Sequence, residues 1–182
     1  MKCTFALLVN NEIHDFMRKK ACEINAEIRN GFFASQFTPH ISLKQPFHID
    51  DIGKVEKYFD ELTKSIKPFK IVVGPTYRWQ NVIGLNVKEN AELRNCHNKI
   101  NKELRERFEN TSALHDGDLY HFHATIALGG ANEIMYRKIY EKIKDESVSF
   151  EYIANEIVMF YYDDENFSKL PFNTYKINQL AE

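Results

Sequence analysis

A chain of 182 residues with 43% hydrophobic content can bury one domain core, or two small lobes on a shared core. A charged fraction of 27% and a formal net charge of −2 exclude a protein that coats long nucleic acid through a basic face. They leave open a pocket for a small nucleotide or one RNA end, which needs only a few local donors. No apolar run approaches the roughly 18 residues of a membrane span.

Phe5 to Val9 is a continuous apolar run of strand length, read as a buried first strand. It lacks the small-residue cleavage site of a signal peptide and leads straight into a helical pattern. Asn10 and Asn11 can cap that helix, whose apolar face is Ile13, Met17, Ala21, Ile24 and Ile28, and Gly31 closes it. Residues 32–38 are a loop and 39–47 a strand ended by Pro46. A second helix starts at Asp50-Asp51, carries Val55, Phe59, Leu62 and Ile66 on one face, and stops at Pro68. Phe69 to Val73 is a strand broken at Gly74-Pro75.

The order then repeats: a strand at Val82 to Val87, a helix over 90–109, a polar loop at 110–118, and a strand over 120–128 ended by Gly129-Gly130. A helix over 132–145 and an aromatic, strand-like stretch over 149–162 follow. A polar loop at 163–169 precedes a last strand near 172–179. We take the repeated layout as a weak internal duplication, with halves of roughly 1–78 and 79–182 in a single two-lobed domain.

Each half holds one His-x-Ser/Thr tripeptide in a strand pattern: His40-Ile41-Ser42 and His123-Ala124-Thr125. Residues i and i+2 share a strand face, so each histidine projects beside its hydroxyl, with roots roughly 6–7 Å apart. Singly, such tripeptides are common. Their equivalent placement in two similar halves makes them one candidate site. Two such units around one phosphorus provide a neutral imidazole to take a proton from water and an imidazolium to protonate a leaving oxygen. The two hydroxyls can stabilise the non-bridging oxygens, so this chemistry needs no metal.

The paired motifs resemble the two-histidine phosphoesterase superfamily, which includes the 2′-5′ RNA ligase-like proteins and the cyclic nucleotide phosphodiesterases. Pro39 before the first motif and Pro46-Phe47 after it look like the bacterial 2′-5′ RNA ligase branch. The resemblance implies an α+β (α/β) bilobal fold: two antiparallel β-sheets facing across a central cleft, helices outside, and a pseudo-twofold axis. It implies a phosphoric diester hydrolase acting on an RNA or nucleotide 2′,3′-cyclic phosphate, or the related 2′-5′ RNA ligase. It assigns His40 as proton donor, His123 as proton acceptor, and Ser42 and Thr125 as phosphate-binding residues. Ser42 departs from the commoner Thr; it keeps the hydroxyl and loses a methyl. A non-catalytic RNA- or nucleotide-binding module that kept the motifs is the reading from a different class. No cofactor, metal or obligate protein partner is implied.

Other residues divide between site and scaffold. Lys44 continues the face of His40 and Ser42 and either meets phosphate or points to solvent. His121 shares the face of His123, as a substrate contact, a strand-end residue or half of a metal-binding pair. Tyr77, Trp79 and Phe47 can stack on a base and Arg78 can meet a phosphate, although packing at a strand end is the simpler expectation. Phe160-Tyr161-Tyr162 reads as an edge or interface strand, or as the cleft floor. His14, His48 and His115 are expected on the surface and His97 partly buried. The odd, widely spaced Cys3, Cys22 and Cys96 exclude a disulfide framework and suit a cytoplasmic location; each is expected to be a small buried hydrophobe.

Overall fold

The computed structural model describes residues 1–28, 37–129, 131–162 and 173–181. Gly31, Gly130, the loop at 163–169 and most of the loop at 32–38 lie outside the described residues.

The four described helices each begin on an Asn or Asp cap that satisfies an otherwise orphan amide. Asn10 accepts from Ile13 N at the start of α1 (Asn11–Ile28) and Asp51 from Gly53 N and Lys54 N at α2 (Ile52–Thr63). Asn90 accepts from Leu93 N at α3 (Ala91–Arg107) and Asn132 from Met135 N at α4 (Glu133–Ile143). Helix α2 is shorter than its apolar stripe. Ile66 still reaches the core, but Ala181 N donates to the carbonyls of Thr63 and Ile66 and takes the place of helical bonds there.

Among the described residues nine strands form two sheets: β1 (Lys2–Leu8), β2 (His40–Ser42), β3 (Phe47–His48), β4 (Phe69–Trp79), β5 (Val82–Lys88), β6 (His123–Leu128), β7 (Phe150–Ala154), β8 (Glu156–Tyr162) and β9 (Asn173–Gln179). One sheet runs β2-β1-β8-β9 with β3 also on β1; the other runs β6-β5-β4-β7. All pairings are antiparallel. The fold class is thus the expected one. The repeat is visible as β1-α1-β2 and β5-α3-β6, in which each motif strand pairs with the strand before its helix.

The sheets do not part where the sequence halves meet. The first takes β8 and β9 from the second half, and the second takes β4 from the first. The stretch over 149–162 is two strands, not one. The chain changes sheet at Asn155, between β7 and β8. Strand β8 lies between β1 and β9, so Phe160-Tyr161-Tyr162 is not an edge.

Strand β4 runs past Gly74-Pro75 through a register shift between Val73 and Thr76. A Cβ on Gly74 would fall 2.1 Å from Val148 O, and its φ is +124°, so only glycine fits there. Apolar residues of both sheets, including Phe5, Leu7, Ile41, Ile83, Leu85, Ala124, Ile157 and Met159, join one buried cluster. Among the cysteines, Cys3 and Cys96 are buried as expected, but Cys22 is exposed on α1.

Candidate active site

The two motif strands are the edges at which the sheets meet: β2 ends one sheet, β6 ends the other, and they lie side by side. Alternation along each strand does the sorting. Ile41, Ala124 and Ile126 enter the core, while His40, Ser42, His123 and Thr125 stay half-buried on the opposite face. The cross-strand partners of the hydroxyl residues are the smallest available, Ala6 opposite Ser42 and Gly84 opposite Thr125. A Cβ on Gly84 would lie 2.6 Å from Ala124 O and 2.8 Å from Tyr77 Cε1, so the missing side chain is what admits the Tyr77 ring here.

The histidines are oriented by matching bonds. His40 Nδ1 lies 2.7 Å from Thr38 O and His123 Nδ1 lies 2.9 Å from His121 O. A carbonyl can only accept, so Nδ1 carries the proton in each ring and the Nε2 of the neutral imidazole keeps its lone pair. No described residue engages either Nε2, Ser42 Oγ or Thr125 Oγ1. Burial pulls His40 down to about 4 against the supporting bond from Thr38 O, and nearby His123 lowers it further. Burial also lowers His123, with the charge of His121 acting in the same direction. Phe160 is buried beneath the site and packs its ring 5.0 Å from that of His40.

Two recesses adjoin these groups. A small one of about 20 Å³ is lined by His40 and Thr125, from different motifs, together with Arg18, Thr38 and Pro39. A larger pocket of about 440 Å³ beside His123 is lined by Gln45, Tyr77, Arg78, Trp79, Leu119 and His121, among others. Tyr77 lies 5.7 Å from His123 and 5.4 Å from His121, centroid to centroid. Trp79 is 58% exposed and Leu119 99% exposed at its rim. Arg78 is directed to Gln80 O and Glu133.

His121 precedes β6 and stacks on His123 at 5.9 Å, with Nε2 3.1 Å from Asn86 Oδ1. Among the described residues no third His, Cys, Asp or Glu joins it in a metal-binding group.

Lys44 does not continue the face of His40 and Ser42. Leu43 N and Lys44 N both donate to Phe5 O, at 2.8 and 3.2 Å, so two residues oppose one and the alternation slips. The slip turns Lys44 inward. Its side chain is 1% exposed and its ammonium is paired with Asp116, so it has no face on which to meet substrate. Asp116 lies in the polar loop over 110–118, and nothing in its sequence context marks it as a partner for Lys44.

His48 and His115 are exposed and His14 is half-exposed, as expected. His97 is fully buried and bonded to Leu43 O and Gly117 N.

The chain matches the model of the 2′-5′ RNA ligase superfamily over residues 23–166, a span that holds both motifs. It is 25% identical over 168 residues, 88% of either chain, to a protein of Geobacillus sp. (strain WCH70) that bears a phosphoesterase name. Similar folds include E. coli LigT complexed with 3′-AMP (TM-score 0.58, 14% identity, 100% of this chain and 98% of that one). TT0787 of Thermus thermophilus is another (TM-score 0.53, 11% identity, 99% and 98%). Motifs, two-sheet architecture and matched span agree: the chain belongs to the 2′-5′ RNA ligase superfamily, whose members act on phosphodiester bonds.

Proposed function

We propose that this protein hydrolyses a cyclic phosphodiester, an RNA or nucleotide 2′,3′-cyclic phosphate, by metal-independent acid–base chemistry between His40 and His123. The observation that carries this reading is the matched pair of Nδ1-to-carbonyl bonds on strands that meet edge to edge. They leave two unengaged Nε2 atoms and two unengaged hydroxyls at one junction.

His123 Nε2 takes a proton from water as the water oxygen attacks phosphorus. The bond from phosphorus to one ribose oxygen breaks, and His40 gives that oxygen its proton. The product is a nucleotide or RNA end carrying a phosphate monoester. Ser42 and Thr125 donate hydrogen bonds to the non-bridging oxygens, where negative charge accumulates. In the free site burial holds His40 uncharged at neutral pH. The anionic substrate raises its affinity for the proton, so binding itself arms the acid.

The pocket beside His123 accepts the attached nucleoside. Tyr77, Trp79 and Leu119 offer apolar area for a base, and His121 flanks the phosphate end. Free Cys3, Cys22 and Cys96 fit a reducing, cytoplasmic setting.

The test is product analysis. Incubation with 2′,3′-cyclic AMP should yield a single adenosine monophosphate regioisomer. Joining of a cyclic-phosphate RNA end to a 5′-hydroxyl end, with no hydrolysis, would instead make the protein a ligase. Binding without turnover of any cyclic phosphate would make it a recognition module.

A further inference from the structure

The chain leaving β2 is tied, residue by residue, to the chain entering β6. Ser42 O accepts from Tyr120 Oη at 3.1 Å. Leu43 O lies 2.7 Å from His97 Nδ1. Lys44 Nζ pairs with Asp116, and Gln45 N donates to the other Asp116 oxygen at 3.3 Å. The partner segment is itself fastened. Asp116 accepts from Ala113 N at 3.1 Å and His97 Nε2 accepts from Gly117 N at 3.1 Å. Arg94 donates to the carbonyls of Gly117 and Tyr120, both at 2.8 Å. The His97 and Tyr120 rings stack at 4.3 Å.

A buried ion pair is a poor device for stability alone, because desolvating two charges offsets most of their attraction. With side chains 1% and 8% exposed, Lys44 and Asp116 bear that cost in full. What such a pair provides, and an apolar contact does not, is a fixed register. Here the register concerns the two motif strands. Lys44 lies just past Ser42, and Tyr120 lies just before the His121 carbonyl that holds His123. The His123 ring hangs from the His121 carbonyl inside the second stretch, and the His40 ring from the Thr38 carbonyl at the other end of the three-residue strand β2, so their separation follows the backbone.

We propose that Lys44 and Asp116, with His97 and Tyr120, form a positioning joint that sets the distance between His40 and His123. This rests on the reading of those two histidines as the acid–base pair. The joint residues are positioning residues and reach the reaction only through the strands they fasten.

The experiment replaces the pair by a neutral one, K44M/D116N. The melting temperature is expected to stay near that of the native protein, since two desolvated charges are removed together. The kcat for 2′,3′-cyclic AMP is expected to fall about a hundredfold, the cost of displacing reacting groups by about an ångström. A second readout follows the His40 ring by NMR. In the native protein, His123→Gln should move the His40 titration upward, because it removes a nearby like charge. In K44M/D116N the same substitution should move that titration less, because the two rings stand farther apart.

A double variant with native kcat, or with the His40–His123 coupling intact, would overturn the joint. If the double variant does not fold, Tyr120→Phe removes only the hydroxyl bonds to Ser42 and Gln45. It should weaken the coupling and lower kcat several-fold, and no change in either would count against the joint. If the native protein turns over no cyclic phosphate, the proposed reaction fails while the coupling measurement still decides the joint.

Discussion

His40 and His123 meet the backbone in the same way: each ring presents Nδ1 to the carbonyl two residues earlier, at 2.7 Å in one strand and 2.9 Å in the other. The match is a consequence of strand geometry. Residues i and i−2 share a face, so a histidine at i can fold its ring back onto the carbonyl that precedes it. The result is two imidazoles in one tautomer, each with a basic nitrogen left over for substrate.

Loss of either ring is therefore expected to be severe. His40→Ala and His123→Ala should each lower kcat/KM for 2′,3′-cyclic AMP by about 10²- to 10⁴-fold, the usual worth of a positioned acid or base. The double variant should cost little more than the worse single one, because the two groups serve one proton-transfer cycle. Steady-state kinetics on the three variants checks this.

The pH dependence follows from burial. His40 is held near 4 and His123 below its ordinary value of 6.5. The reactive form of the free enzyme carries one charged and one neutral ring, and it is most abundant between the two values. The optimum of kcat/KM should lie on the acid side of neutrality, below about 6.5. A profile from pH 4 to pH 9 with its maximum above 7 would contradict this.

Stability should respond to the same group. His40 has a folded value below its unfolded one, so the unfolded chain binds the extra proton first. The stability that the neutral ring contributes is present above about 6.5 and drains as pH falls towards about 4. His40→Gln should flatten the melting temperature against pH across that window, as thermal scans in a buffer series will show.

Gly84→Ala is expected to damage both fold and site. The added Cβ meets Ala124 O at 2.6 Å and the Tyr77 ring at 2.8 Å, and the first of these is backbone that has little room to yield. A loss of about 1–3 kcal/mol in unfolding free energy is expected. The displaced Tyr77 should also disturb His123, against which it packs. Denaturant titration and kinetics on the same sample separate the two effects.

Trp79 gives the opposite pattern. Its ring is 58% exposed at the pocket rim, so Trp79→Ala should change stability by no more than about 0.5 kcal/mol. Losing one stacking surface is worth about 1–3 kcal/mol. KM should therefore rise about tenfold with kcat little changed.

Much of this was legible in the sequence because it depends on short-range periodicity. The caps of the first two helices, the apolar stripes and the pairing of His with a hydroxyl on one strand face all follow from spacings of two or of three to four residues. The failures are long-range. Lys44 breaks the alternation because Phe5 O accepts two amides, and Asp116 meets it across 72 positions of sequence. The change of sheet at Asn155 is decided by which edges are free, Phe69–Val73 for one strand and Lys2–Leu7 for the next. A run of aromatic and β-branched residues does not record that choice. Ser42 and Thr125 were recognisable as residue types, while the Ala6 and Gly84 opposite them emerge only from the register.

The most direct measurement is turnover of 2′,3′-cyclic AMP by protein stripped of metal and assayed in EDTA, beside His40→Ala and His123→Ala. Full native turnover in chelator, with activity lost in both variants, is the expected result. Turnover that vanishes in EDTA and returns with a divalent cation, or that survives removal of either histidine, would contradict acid–base catalysis by this pair.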